Sequence, residues 1–207
     1  MPNPSPAESD PQRRIAALRA EMTRNDLDAF LVLIDANRRY LSGYSAEDGQ
    51  FDETAGALLI TADAGHLLTD SRYDLQAREE APGFAVSCYT KSLYAALPDF
   101  FSRIAARRVG FESARLSVKH HRDLLDRLQK ADQQVELIPT ENAVESLRAV
   151  KDPQEQALTR RAVRCAETAF RQLTAWMQPG MTELAVARQL EALMVAAGAE
   201  GPSFPII

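Results

Sequence analysis

The three histidines and two cysteines are the first residues to weigh for chemistry. His120 and His121 are adjacent on a stretch patterned as a helix, where neighbouring side chains diverge by about 100° and cannot share a metal. His66 stands at a step from turn to strand. These positions read as solvated or capping histidines rather than ligands. Cys88 and Cys165 have neither close pairing nor metal-ligand spacing, and their apolar neighbours mark two buried, reduced thiols. The chain has no Gly-x-Ser-x-Gly, Walker loop, Gly-x-Gly-x-x-Gly or His-Glu-x-x-His, so the chemistries those motifs carry have no signature here. What remains is charge. A polar, acidic loop runs from Gly43 to Glu53. Asp70 and Arg72 read as an ion pair or turn clamp just before Tyr73, with ligand contact as the alternative. Arg148 and Lys151 lie beside Glu145 and Glu155, where cations set geometry between domains.

Those residues must be held by a fold. The chain has 207 residues, about 1.4 domains at roughly 150 residues each. Lys and Arg total 24 against 29 Asp and Glu, a net charge of −5. That balance argues against a nucleic-acid partner, because neutralising phosphates needs clustered cations. No apolar run approaches the roughly 20 residues that span a bilayer. The Met-Pro-Asn-Pro-Ser-Pro start lacks the basic and apolar regions of a secretory signal. No membrane partner and a cytoplasmic location are therefore expected. Residues 1–11, with Pro2, Pro4, Pro6 and Pro11, read as a disordered leader.

Apolar periodicity predicts helices over 11–23, 73–81, 93–107 (with Pro98 as a kink or start) and 118–130. Strands are expected over 28–34, 56–61, 66–69, 84–89, 109–111 and 135–138. The turn residues Ala62 to Gly65 make the second and third strands a hairpin. Six strands interleaved with helices specify an α/β domain over 12–140 with a mixed sheet flanked by helices. Residues 141–151 read as a linker. Asp152-Pro-Gln-Glu155 is a helix start with N-cap, proline and capping-box glutamate in place. Leu158, Ala162, Cys165, Ala169, Phe170, Leu173 and Trp176 then trace an apolar stripe expected to be core. Thr182 caps a second helix that Gly198 closes. Two such helices have no sheet of their own to cover, so 152–207 is expected to be an incomplete domain, cut inside a strand starting at Ser203.

Five stretches, in order, carry a family resemblance. They are Asn37-Arg-Arg-Tyr40-Leu-Ser-Gly43-Tyr44, Thr69-Asp70-Ser-Arg72-Tyr73, Leu147-Arg148-Ala-Val-Lys151-Asp-Pro-Gln-Glu155, Gly180-Met-Thr-Glu183 and Ser203-Phe-Pro-Ile-Ile207. Together they resemble the creatinase, prolidase and aminopeptidase P superfamily, over nearly the whole chain from residue 12. The resemblance implies a creatinase-like, ribonuclease H-like N-terminal domain over 12–140, followed by the opening of a "pita-bread" catalytic domain. It also implies a hydrolase cleaving the bond before proline with two divalent metals, manganese or cobalt, in a full-length parent. The family's metal ligands fall beyond residue 207, so no metal or catalytic residue carries over and the chain alone is expected to be inert.

Family members commonly form homodimers in which the loop after the Asn-x-x-Tyr-x-x-Gly stretch enters the partner's active site. Tyr44, Gln50, Phe51, Asp52 and Glu53 are the matching candidates for contact with proline-containing peptides. Phe51 suits a proline ring, and Asp52 or Glu53 suits the peptide's α-ammonium group. Asn37, Tyr40, Gly43, Asp70, Arg72, Tyr73, Arg148, Lys151 and Glu155 are the structural positions of the motifs. Two other readings share the scaffold: a non-catalytic peptide- or protein-binding module, and a creatine-type amidinohydrolase.

Overall fold

Ala29–Val32 forms β1, and all four residues are buried, as a continuous apolar run covered on both faces should be. In the computed structural model, which describes residues 11–49 and 53–204, β1 lies inside a six-stranded sheet of order β4-β3-β2-β1-β5-β6. The others are β2 (Ala57–Thr61), β3 (Gly65–Thr69), β4 (Ala85–Cys88), β5 (Arg108–Glu112) and β6 (Glu136–Thr140). Only β2 runs antiparallel to its neighbours; β1 pairs parallel with β5, β5 with β6, and β3 with β4. The carboxyl ends of five strands therefore share one edge, the edge at which ligands sit in open α/β sheets.

The pleat sorts β1 onto two cores. Ala29, Leu31 and Leu33 face Phe101 and Leu124, while Phe30 and Val32 face Leu18, Leu41 and Ala77. The first core belongs to α4 (Leu93–Arg103) and α5 (Val118–Lys130), the second to α1 (Pro11–Arg24), α2 (Asp35–Ser42) and α3 (Asp74–Glu80). Ser92 and Ser117 cap α4 and α5 through their side chains. The β2–β3 turn is closed by Arg19, whose Nε and Nη2 donate to the carbonyls of Thr61 (2.8 Å) and Ala64 (3.1 Å).

Several elements differ from the sequence reading. Helix α2 was not foreseen, nor was α6 (Glu145–Ala149), which occupies the segment expected to be a linker. Helix α4 runs through Pro98 and stops at Arg103, where Ala105 takes a left-handed φ of 52°. Cys88 is exposed rather than buried, and its thiol donates to Asp74 Oδ1 at 3.2 Å, because edge strand β4 has no cover there. His120 stacks on Tyr94 with ring centroids 4.2 Å apart, so it is not simply solvated.

The chain divides into two compact units, Met1–Val150 and Lys151–Ile207. In the second, Asp152 and Glu155 form the expected capping box on α7 (Pro153–Trp176), and Thr182 caps α8 (Glu183–Ala196). The two helices pack together, but only Ala169 and Leu173 of the apolar stripe are buried. Leu158, Phe170 and Trp176 are exposed, Phe170 at 59%, which corrects the expectation of a core stripe. Ser203 and Phe204 are not in a strand, and the rest of that expected strand lies outside the described residues. Among the described residues no helix is long and apolar enough to cross a membrane.

Candidate functional site

At the carboxyl edge of β1 and β5, apolar surroundings enclose polar groups that must find partners inside the protein. Asn37, on the first turn of α2, is fully buried. Its amide nitrogen donates to Glu112 Oε1 (2.6 Å) and Glu145 Oε1 (2.8 Å), and its oxygen accepts from Arg148 Nη1 (2.8 Å). Glu112, the last residue of β5, also accepts from the backbone N–H groups of Leu33 and Ile34, each at 2.6 Å. Asn37 and Glu112 thus tie β1, β5, α2 and α6 together. Burial pushes the Glu112 carboxyl up to about 7, against the pull of these donors, and the nearby Glu145 charge adds to the rise. A cavity of about 410 Å³ opens beside it, lined in part by Ile34, Thr140 and Asn142.

A second buried group anchors the acidic loop. Arg38 is fully buried; its two terminal nitrogens grip Asp48 at 2.8 and 3.1 Å and donate to the carbonyls of Leu33 and Ala46. Asp48 Oδ1 also accepts from the Ala55 N–H (2.8 Å), and its Oδ2 from Arg115 Nη2 (3.2 Å). Burial pushes the Asp48 carboxyl up, but Arg38, the Ala55 N–H and Arg115 outweigh it and hold its pKa below the usual value. Arg115 also donates to the carbonyl of Glu53 at 3.0 Å. The loop closes on Gly56, whose φ of 153° and the approach of the Leu68 carbonyl, 2.6 Å from where a Cβ would lie, admit no side chain.

The sequence candidates distribute unevenly over this edge. Tyr44 is fully buried with its hydroxyl donating to the Ala55 carbonyl at 2.9 Å, so it is a core residue and presents no surface to a peptide. Glu53 is exposed and lines a cavity of about 360 Å³ together with Thr54, Asp70, Arg72, Tyr89 and Tyr94. Gln50, Phe51 and Asp52 lie outside the described residues. Asp70 accepts from the Arg72 backbone N–H (2.9 Å) and side chain (2.9 Å), and the Arg72 guanidinium sits over the Tyr73 ring. Tyr40 lies under the Arg14 guanidinium at 4.1 Å, and Gly43 caps α2 in a left-handed conformation at φ 85°. In the second unit, Glu155 accepts from the Asp152 N–H, and the Lys151 carbonyl accepts from Gln156.

Sequence reasoning missed Arg38, Asp48, Glu112 and Arg115. The one available signal was charge set directly against apolar strands, in Gly110-Phe-Glu112 and in the Arg38 that follows Leu-Ile-Asp-Ala-Asn. Among the described residues no three His, Cys, Asp or Glu side chains converge as metal ligands. With no such cluster, and with Glu112 engaged by the donors of Leu33, Ile34 and Asn37, the described residues do not fit a dinuclear metal centre.

Residues 14–150 match the Creatinase/Prolidase N-terminal domain family, and residues 157–207 match Metallopeptidase family M24. An uncharacterized peptidase of Bacillus subtilis, YqhT, is 30% identical over 87% of this chain and 48% of its own length. An Xaa-Pro dipeptidase from Bacillus anthracis superposes with a TM-score of 0.81 at 26% identity, over 94% of this chain and 51% of that one. The N-terminal domain of the cytoplasmic peptidase PepQ from Mycobacterium tuberculosis is 32% identical with a TM-score of 0.57, over 65% of this chain and 98% of that one. The chain spans about half the length of the curated relatives it matches. Because the N-terminal match covers the mixed sheet with both of its buried polar groups, and the M24 match follows it directly, the chain belongs to the creatinase/prolidase family.

Proposed function

We propose that this chain forms the N-terminal domain and the opening of the catalytic domain of a cytoplasmic, homodimeric Xaa-Pro metallopeptidase. The observation that carries the reading is the succession of the two family matches along one chain. The likeness to an Xaa-Pro dipeptidase supports the substrate class. In the whole protein two divalent metals, manganese or cobalt, would supply an activated water, and residues of a complete M24 domain rather than the described ones would hold them. The part played by the present residues is recognition. Glu53, on the loop after the Asn-x-x-Tyr-x-x-Gly stretch, reaches the partner's active site and pairs with the α-ammonium group of the bound peptide. Its exposed carboxylate lines a cavity and carries the charge that such a cation needs.

The test uses the chain continued through a complete M24 domain. Glu53→Ala is expected to raise KM for an Xaa-Pro peptide about tenfold, the loss of one charge-assisted contact, with kcat within about a factor of two. An unchanged KM would remove Glu53 from the peptide site.

A further inference from the structure

The acidic loop is anchored at a place where polar anchoring is costly. Arg38 and Asp48 have side chains only 0% and 6% exposed. A buried ion pair replaced by apolar side chains of similar volume often leaves a protein equally stable. Arg38 also keeps its Nε buried without a hydrogen-bond partner among the described residues, so the guanidinium is not placed for its own satisfaction. What a bidentate pair supplies is geometry, because the planar fork accepts a carboxylate in one orientation.

That geometry joins the two feet of the loop. On the outgoing side, Arg38 holds Asp48 and the Ala46 carbonyl. On the returning side, the same Asp48 carboxylate holds the Ala55 N–H. Arg115, on the segment between β5 and α5, bridges both feet by donating to Asp48 and to the carbonyl of Glu53. Thr54 completes the return through its own hydroxyl, which donates to the Gly56 carbonyl at 2.7 Å. The backbone that carries Glu53 is therefore fixed from beneath by two cations sharing one anion.

We propose that Arg38, Asp48 and Arg115 are positioning residues that preset the backbone of Glu53 for the peptide's amino terminus. This rests on the reading of the loop as a peptide contact. The clamp lowers the ordering cost of binding, because the backbone at Glu53 does not have to be immobilised when substrate arrives.

Two variants test it: Asp48→Asn, and the double variant Arg38→Met with Asp48→Leu, which fills the same space without charge. In the 207-residue chain, hydrogen exchange at Ala55 and neighbouring loop amides is expected to quicken at least about tenfold, while β1 and β5 amides keep their protection. In the chain continued through a complete M24 domain, KM for an Xaa-Pro peptide is expected to rise at least about fivefold with kcat little changed. Unchanged exchange at Ala55 in the double variant would overturn the clamp. Faster exchange with unchanged KM would leave the clamp standing and overturn the loop's role in binding peptide.

Discussion

Asn37→Ala is expected to destabilise the first unit by about 4 kcal/mol. Three hydrogen bonds disappear together, each with an ionisable partner: Glu112, Glu145 and Arg148. Glu145 and Arg148 are half-buried and regain water, so their share is small. The larger share comes from Glu112, 4% exposed, which loses a donor where water has little access, and from the cavity left by a fully buried side chain. Asn37→Asp separates polarity from volume. It fills the space but sets a carboxylate against Glu145, and against Glu112 once that group ionises, with only Arg148 to offset it, so above about pH 7 it is expected to cost at least as much as alanine. Urea unfolding followed through β1 and β5 amide protection reads both. A cost below about 1 kcal/mol for Asn37→Ala would show that the network is dispensable.

The second large effect is a dependence of stability on pH through Glu112. Its carboxyl titrates near 4.5 when unfolded and is pushed up to about 7 when folded. Below pH 4.5 both states carry the proton and the group contributes no difference. Between 4.5 and 7 the unfolded chain has released the proton while the native state retains it, so stability falls as pH rises. Above 7 the loss is complete, on the order of 3 kcal/mol from a shift of this size. Carboxyls whose pKa is lowered by folding, such as Asp48 and Asp70, act in the opposite direction and at lower pH. Glu112→Gln removes this titration and nothing of the side chain's volume. The stability difference between wild type and Glu112→Gln should shift by about 3 kcal/mol against the wild type from pH 4.5 to 8. Parallel pH profiles would mean that Glu112 is not protonated in the native state at neutral pH.

The strands and long helices were legible because their signal is local. Residues 28–34 are apolar without interruption, and Asp152-Pro-Gln-Glu155 carries every part of a helix start. Helix α2 was not legible, because Asp-Ala-Asn-Arg-Arg-Tyr-Leu-Ser inverts the usual pattern: Asn37 and Arg38 point inward and are fully buried. Their burial depends on Glu112, which the sheet brings beside Asn37, and on Asp48, which the following loop folds back onto Arg38. Tyr44 failed as a surface candidate for the complementary reason. An aromatic next to a polar loop reads as available, but its ring fills the second core and its hydroxyl finds the Ala55 carbonyl. The loop as a region was marked by family resemblance. The clamp beneath it is a tertiary property.

Steady-state hydrolysis by the chain continued through a complete M24 domain, with manganese supplied, tests the proposed activity most directly. Xaa-Pro peptides are expected to be cleaved at least about a hundredfold faster than the same peptides with alanine in place of proline, and creatine not at all. The 207-residue chain alone is expected to cleave neither. Turnover of creatine in place of peptide, or Xaa-Pro cleavage by the 207-residue chain by itself, would contradict it.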